Sequence, residues 1–221
     1  MINLLVIDLS HWDDVTDYAK IKASGIVGVI YKATQGSSYV DATYAPEREK
    51  AVGAGLLWGA LHFGDGSSVT AQAKNFLSHA ALNPQDLFAL DYEDNTSQMN
   101  IQQAHDWTVA VEQELGRPTQ GVLYSGNTIK ETIRPQDQAF WAPRRLWLAQ
   151  YASSPVVPPP WTSAWLWQYT DGGTVPGVAG QGTVDCNSYL GTAIQLANEW
   201  STGQTTVQYC PCCHQPLPNQ T

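Results

Sequence analysis

The stretch Leu-Phe-Ala-Leu-Asp-Tyr-Glu, residues 87–93, has the pattern of a buried β-strand that ends in two carboxylic acids. Similar apolar or β-branched runs precede it at residues 4–9, 26–34 and 56–63, and helical patterns follow the four runs at residues 15–23, 43–54, 69–82 and 101–115. Short strands that alternate with longer helices are typical of a parallel sheet built from repeated βα units. Four such units in succession predict a barrel.

The second half of the chain is less regular. Strands are predicted at residues 121–125, 146–151, 164–170 and 183–187, and a final helix at residues 192–200. The connections between the last three strands have no clear helical pattern, and the proline-rich residues 155–160 make one of them stiff and extended. Eight strands with about five helices predict an α/β fold, an incomplete (β/α)8 barrel of the TIM type.

The chain is predicted to form a single barrel domain, residues 1–200, which would carry the catalytic residues, followed by a tail, residues 201–221. Three of its four cysteines, Cys210, Cys212 and Cys213, lie in that tail, so no disulfide framework is expected. Together with His214 they have the residue types of a zinc site, but a tetrahedral site usually needs a second ligand pair. A zinc site shared between molecules, a disordered tail and oxidisable thiols all remain open.

Charge and composition exclude several partners. With 20 acidic and 11 basic residues the formal charge is −9, which predicts repulsion from nucleic acids and anionic membranes. No segment resembles a signal peptide or a membrane span, so we expect synthesis in the cytoplasm. Nine tryptophans and ten tyrosines favour either carbohydrate-stacking surfaces or aromatic core packing.

Asp91 and Glu93 form the central chemical signal. Alternation along a strand points both side chains to one face and Tyr92 to the other, with the pair about 6.6 Å apart at the backbone. In a barrel, functional groups lie at the carboxyl ends of the strands, where this pair falls. Glycosidases use one protonated and one anionic carboxyl, and crowding two carboxyls raises the pKa of one. Alone, Asp-x-Glu is a weak motif, since a surface turn is its commoner origin.

Acids at two other predicted strand ends strengthen the hypothesis. Asp8 ends the first apolar run, and Asp185 with Asn187 ends the last, so closure of the barrel would bring them together. The alternative role for Asp8 is to cap the backbone of Ser10 and His11.

The chain resembles glycoside hydrolase family 25, the muramidases of phage and bacterial origin. The matching segments, in order, are VIDLS at 6–10 with Trp12, KATQG at 32–36, GALHF at 59–63, LDYE at 90–93, LYS at 123–125, LWLAQY at 146–151, WQY at 167–169 and VDCN at 184–187. Each segment is common, whereas the ordered set, from residue 4 to about 190, is specific.

The resemblance implies a barrel of five βα units plus three further strands, (β/α)5(β)3. It also implies cleavage, with retention, of the β-1,4 bond between N-acetylmuramic acid and N-acetylglucosamine in peptidoglycan. Glu93 corresponds to the general acid/base, and Asp91 to the residue that attacks directly or orients the 2-acetamido group. Substrate-binding positions are expected at Asp8, Asp185, Tyr124, His62, Trp147, Gln150, Trp167, Gln168 and Asn187.

Some of these residues have a second interpretation. The alternative for His62 is a hydrogen-bonded structural histidine, because glycosidases transfer this proton with carboxyls. The alternative for Trp147 and Trp167 is packing in the barrel interior. Leu61 replaces an aromatic residue that the family often carries, so a sugar-stacking contact is absent there or supplied elsewhere. No metal or cofactor is expected.

Two other functions fit parts of the pattern. A chitinase-like barrel would carry Asp-x-x-Asp-x-Asp-x-Glu, but Ala89 stands at the second aspartate position. A glycan-binding module without activity would use the same scaffold, although all the acids that catalysis needs are present. We expect a monomer that reaches the cell wall after release, in the manner of a phage endolysin, or by delivery on a particle.

Overall fold

Nine β-strands and seven α-helices make up the part of the chain that this computed structural model describes, residues 2–179 and 183–203. The strands are β1 (Leu4–Leu9), β2 (Gly28–Gln35), β3 (Tyr39–Val40), β4 (Leu57–Phe63), β5 (Leu87–Asp91), β6 (Val122–Ser125), β7 (Arg145–Ala149), β8 (Leu166–Gly173) and β9 (Val184–Ser188). The helices are α1 (Tyr18–Ala23), α2 (Tyr44–Gly53), α3 (Val69–His79), α4 (Ile101–Leu115), α5 (Asn127–Thr132), α6 (Gln138–Trp141) and α7 (Ala193–Thr202), with a 3-10 turn at Pro135–Asp137.

Eight of the strands close into a barrel. The order is β1-β9-β8-β7-β6-β5-β4-β2, and pairing of β1 with β2 completes the circle, while the two-residue β3 adds to the end of β2. Helices follow each of the first five barrel strands, whereas the described residues of the connections after β7 and β8 form none. The predicted fold class, five βα units plus three further strands, is confirmed.

The last strand runs against all the others. Six neighbouring pairs, from β1–β2 round to β7–β8, are parallel, whereas β9 is antiparallel to both β8 and β1. The sequence predicted Asp185 at the end of its strand, but the residue lies near the beginning of β9. Because the strand is reversed, its beginning lies at the same rim as the carboxyl ends of the others, and Asp185 pairs directly with Asp8.

Alternation along the strands divides the hydrophobic core into one cluster inside the barrel and two clusters outside it. Inward side chains such as Val6, Ile30 and Trp147 fill the barrel, and outward ones such as Ile7, Trp58 and Phe88 pack beneath the helices. Large aromatic and β-branched side chains fill the interior completely, as is usual for eight-stranded barrels, so the barrel is a packed core with no pore. Polar groups become frequent only near the rim.

Helix α7 closes the other end of the barrel. Its Trp200 is buried against Gly28, where an added Cβ would come within 2.7 Å of the indole ring, and the indole N–H donates to the Trp58 carbonyl at 2.8 Å. A glycine is needed at residue 28 because any side chain there would occupy the space of the ring. The helix ends at Thr202, two residues beyond the predicted domain limit at residue 200.

Candidate active site

Five carboxylic acids line one cavity at the carboxyl-end rim of the barrel, and four of them are acids that the sequence predicted to meet. Its volume is about 210 Å³. The residues that line it are Asp8, Leu9, Ser10, Trp12, Asp13, Lys32, Leu61, Phe63, Asp91, Glu93, Tyr124 and Asp185. The four predicted acids come from β1, β5, the segment just after β5, and β9, and Asp13 comes from the loop after β1, so the closure of the barrel brings together residues that are far apart in sequence.

Asp8 is held by two buried amides. Asn187 Nδ2 donates to it at 2.7 Å, and Gln168 Nε2 donates to both of its oxygens at 3.0 and 3.2 Å. Tyr124 donates in turn to Gln168 Oε1 at 3.0 Å, and the Trp147 indole donates to Asn187 Oδ1 at 2.6 Å. Burial and the neighbouring Asp185 raise the pKa of Asp8.

Asp185 lies opposite Asp8 across the β1–β9 pair, and its pKa is also raised. Burial raises its pKa to about 6, and the nearby Asp13 and Asp171 contribute in the same direction, while its hydrogen bond with Asp8 opposes them. The two carboxyls share a hydrogen bond, so at mildly acidic pH the pair holds a proton that isolated aspartates would have lost.

Asp91 and Glu93 differ in their surroundings. Asp91, the last residue of β5, is 5% exposed, and its Oδ1 has no hydrogen-bond partner. Glu93 is only partly buried. Burial raises the pKa of both, that of Asp91 further through Glu93 and Asp8, and that of Glu93 through Asp185. Lys32 opposes the shift on Asp91. The backbone between the two acids is fixed, because Tyr92 N–H donates to the Tyr124 carbonyl at 2.9 Å.

The rim beside β1 carries an exposed aromatic side chain. Trp12 is 84% exposed, and its ring lies 4.5 Å from that of His11, centroid to centroid. His11 is fixed by Asp41 at 3.0 Å and contacts the Tyr39 hydroxyl at 3.3 Å. Just after β7, the half-exposed Tyr151 donates to Gln168 Oε1 at 3.0 Å.

Comparison with known proteins decides the family. The family model described as glycosyl hydrolases family 25 matches residues 7–178. Lysozyme M1 of Streptomyces globisporus is 31% identical over 207 residues, which cover 86% of this chain and 69% of that protein. This chain belongs to glycosyl hydrolase family 25. The enzyme is thus a glycoside hydrolase, and the family 25 muramidase predicted from the sequence is confirmed.

Solved structures share the fold of this family 25 enzyme. The bacterial lysozyme from Streptomyces coelicolor is similar with a TM-score of 0.76 at 28% identity, over 90% of this chain and 97% of that one. The family GH25 lysozyme from Aspergillus fumigatus is similar with a TM-score of 0.75 at 25% identity, over 90% of this chain and 100% of that one.

The structure of the family 25 enzyme brings together the predicted acids Glu93, Asp91, Asp8 and Asp185, with Tyr124 beside them. Asp8 does not cap the following turn, because Ser10 N–H donates to Asp13 and His11 N–H donates to Asp41. The predicted Gln168 and Asn187 are fully buried below Asp8, so they hold that carboxyl and have no exposed surface for a sugar.

Three of the predicted substrate-binding residues lie away from the cavity lining. His62 and Trp147 are 0% exposed and Trp167 is 7% exposed, and none of them lines the cavity. His62 faces outward from β4, stacks on Trp107 at 5.0 Å and bonds to Thr34 and Gln72, which makes it a neutral structural histidine whose pKa burial lowers to about 4. Trp147 fills the barrel interior, and Trp167 packs outside the sheet in a cluster with Leu146 and Leu148.

Gln150 also lies away from the cavity lining. Its Oε1 accepts from the Lys130 ammonium at 2.6 Å and from Val156 N–H at 2.9 Å. It therefore ties helix α5 to the β7–β8 connection, which leaves no sign of a sugar contact.

Sequence reasoning did not select Asp13, and it noted Trp12, Lys32 and Phe63 only within matching segments. One signal was available for Lys32. Along β2, Gly28 and Ile30 face inward, so position 32 faces inward as well, and a lysine at an inward position near a strand end is unusual. Asp13 and Trp12 belong to a loop, where the sequence carries no periodicity to place them.

Metal and membrane features were searched within the described ranges. There, no group of three or more His, Cys, Asp or Glu side chains could hold a metal ion. Within the same ranges, no helix has the length and apolar character needed to cross a bilayer. The candidate zinc ligands Cys210, Cys212, Cys213 and His214 lie outside the described residues.

Proposed function

We propose that the enzyme hydrolyses the β-1,4 bond between N-acetylmuramic acid and N-acetylglucosamine in peptidoglycan, with retention at the anomeric carbon. The observation that carries the proposal is the cavity in which Asp91 and Glu93 meet Asp8 and Asp185. Such acids, buried and open to one groove, fit the two-carboxyl chemistry of glycosidases. The 31% identity to Lysozyme M1 supports a cell-wall glycan as substrate.

Glu93 is proposed as the general acid and base. Burial and the negative charge of Asp185 raise its pKa, so the carboxyl keeps a proton closer to neutral pH than an exposed glutamate does. It would donate that proton to the leaving glycosidic oxygen as the bond to the anomeric carbon breaks. The resulting carboxylate would then take a proton from the water that attacks the anomeric carbon in the second step.

Asp91 is proposed as the anionic partner. In one route its carboxylate attacks the anomeric carbon and forms a glycosyl ester that water later hydrolyses. In the other it accepts a hydrogen bond from the 2-acetamido N–H, and the acetamido oxygen attacks to form a cyclic oxazolinium intermediate. The unpartnered Oδ1 of Asp91 suits either route, since it is an acceptor for which the protein supplies no donor.

Asp8, Asp185 and Tyr124 are proposed to line the sugar site. Asp8 has its geometry fixed by two amide donors, which makes it a rigid acceptor for a sugar hydroxyl. Exposed Trp12 on one side and Tyr151 on the other offer apolar faces of the kind that stack on pyranose rings. Peptidoglycan would then lie along the rim between these two aromatic residues.

The decisive experiment identifies the products. Purified enzyme should reduce the turbidity of isolated cell walls, and mass spectrometry of the muropeptides should find new reducing ends on N-acetylmuramic acid. New reducing ends on N-acetylglucosamine would contradict the assignment of the bond. Binding to walls with no loss of turbidity would favour a non-catalytic glycan-binding module.

Substitution of the two acids tests their roles. Glu93→Gln removes the proton and should abolish lysis, and Asp91→Asn should lower the rate by about 10²-fold or more. Glu114→Gln, on the exposed face of α4, is the matched control and should leave the rate unchanged. Unfolding temperatures should be measured for all three variants. A folded Glu93→Gln enzyme with normal lysis would refute the assignment.

A monomeric state, cytoplasmic synthesis and action after release or delivery stay predictions. Nucleic acid is not an expected partner, because the charge of −9 opposes it.

A further inference from the structure

We propose that Lys32 is a positioning residue whose ammonium group favours the anionic form of Asp91 over its protonated form. The inference rests on the function proposed above for Asp91 and Glu93. It assigns a role to the one basic side chain among the described residues that line the cavity.

The fold holds the Lys32 side chain in place. Its Nζ donates to Gln35 Oε1 at 2.7 Å and lies 4.8 Å from the centroid of the Phe63 ring, with the Tyr39 ring at 5.6 Å. Strand pairing fixes the neighbours, because β4 lies between β2 and β5 and Phe63 pairs with Asp91. The ammonium therefore stands over the ring that adjoins Asp91, within the same cavity.

Asp91 needs such a charge. At 5% exposure, with Oδ1 unpartnered, its carboxylate has lost most of its hydration without gaining a hydrogen bond at that oxygen. The other charged groups that act on it are Glu93 on the same segment and Asp8 on β1, and both favour its protonation. Lys32 on β2 is the group that favours the anion.

The division of labour between the two acids follows from this asymmetry. Glu93 is acted on by Asp185, which favours the protonated form, whereas Asp91 is also acted on by the cation. Burial and the neighbouring acids raise the pKa of Asp91 even with the cation in place, and loss of the cation would raise it further, towards a proton on the residue that catalysis needs as an anion. Lys32 itself is partly desolvated, which lowers its pKa, while Asp91 and Asp41 raise it.

The test is the pH profile of kcat/KM for wild type, Lys32→Met and Lys32→Arg. Activity falls at low pH as Asp91 takes up a proton, so loss of the cation should move this acidic limb upward by about 1 pH unit, the order of effect that a nearby opposite charge has on a carboxyl. Lys32→Arg should restore most of the wild-type limb. Lys74→Met, on the exposed face of α3, is the control and should leave the profile unchanged.

A titration without turnover separates this inference from the proposed function. In Glu93→Gln protein carrying ¹³C-labelled aspartate, the signal lost in Asp91→Asn identifies Asp91, and its pKa should rise when Lys32→Met is added. An unchanged Asp91 pKa, or an acidic limb that Arg does not restore in a folded variant, would overturn the role of Lys32. Lys32→Gln, which keeps a polar head, replaces the Met variant if the latter does not fold. Failure of the wild type to lyse walls would instead count against the proposed function alone.

Discussion

Asp8 and Asp185 face each other across the β1–β9 pair, but their partners differ. Asp8 receives amide hydrogen bonds from Asn187 and Gln168, whereas Asp185 stands nearer the acidic Asp13 and Asp171. Both have a raised pKa because burial penalises their charged forms. The burial of this acidic pair therefore lowers the free energy of unfolding, and the size of this effect depends on pH.

The pH dependence of the unfolding temperature should reveal this destabilisation. Asp185 has an ordinary pKa of 3.8 and a folded-state pKa of about 6, so its contribution to stability is fully present below pH 4 and is lost as pH rises through 6. Asp185→Asn has no charge to bury and can still form a hydrogen bond with Asp8. We expect it to unfold at the same temperature as wild type near pH 4 and at a higher one at pH 8.

The difference at pH 8 should be about 1–2 kcal/mol, allowing for the solvent screening of a partly exposed carboxyl, or roughly 2–8 °C in Tm. Thermal unfolding of both proteins across pH 4–8 measures it. A gap that is independent of pH would contradict the linkage. Asp171→Asn, an exposed neighbour, should show a much smaller dependence.

Trp12 is the residue whose exposure has the clearest use. A side chain that is 84% exposed contributes little to folding, so Trp12→Ala should leave Tm nearly unchanged. If its ring stacks on a sugar with about 1.4 kcal/mol, the variant should bind cell walls about tenfold more weakly. Binding is measured on walls in the inactive Glu93→Gln background.

The matched control for Trp12 is Ile194→Ala. Ile194 is 75% exposed on α7, at the end of the barrel opposite the cavity, and its removal should leave wall binding intact. Equal effects of the two substitutions would indicate non-specific apolar adsorption, in contradiction of a sugar contact at Trp12.

At the scale of elements, the sequence was most informative where local signals were complete. The predicted bounds of β1 and α4 agree with the structure, Leu4–Leu9 and Ile101–Leu115. For α4 the reason is visible: Asn100 and Gln103 form a capping box at its start, and Gly116 in the left-handed conformation ends it. The short helices α5 and α6 carry too few residues for a periodic pattern, and they were not predicted.

The direction of a strand and the side of the sheet to which its residues point were harder to predict than the presence of the strand. Nothing in the residues of β9 says that it runs antiparallel, because the direction is set by the connection and by closure against β1. In the same way, the apolar run of β4 places His62 on the helix-facing side only once the inward residues Gly59 and Leu61 are known. The meeting of the four predicted acids could be foreseen from the sequence. The amide residues that hold Asp8 could also be identified, but their buried position could not be predicted.

For the whole molecule, stability depends on how the barrel is closed opposite the cavity. Gly28→Ala should be destabilising by about 1–3 kcal/mol, because its Cβ would lie 2.7 Å from the Trp200 ring and the packed barrel cannot expand. Chemical denaturation measures the change. If the cause is the clash, Trp200→Leu should reduce the penalty of the alanine in a double-mutant cycle.

A second glycine provides the control for this experiment. Gly53, in the last turn of α2, has no atom within 4 Å of an added Cβ, so Gly53→Ala should stabilise the protein by about 0.5–1 kcal/mol. A destabilisation of similar size at both positions would show that contact with Trp200 is not the cause.

The reversal of β9 also has a practical consequence. Because the last strand descends from the rim, the backbone reaches Gly203 beside Gln120, just before β6 and on the side remote from the groove. A fluorophore, an affinity handle or an immobilising support joined by a short link at that point would be attached at the end of the molecule opposite the cavity. The enzyme tethered in this way should have its cavity facing away from the support, accessible to an insoluble sacculus.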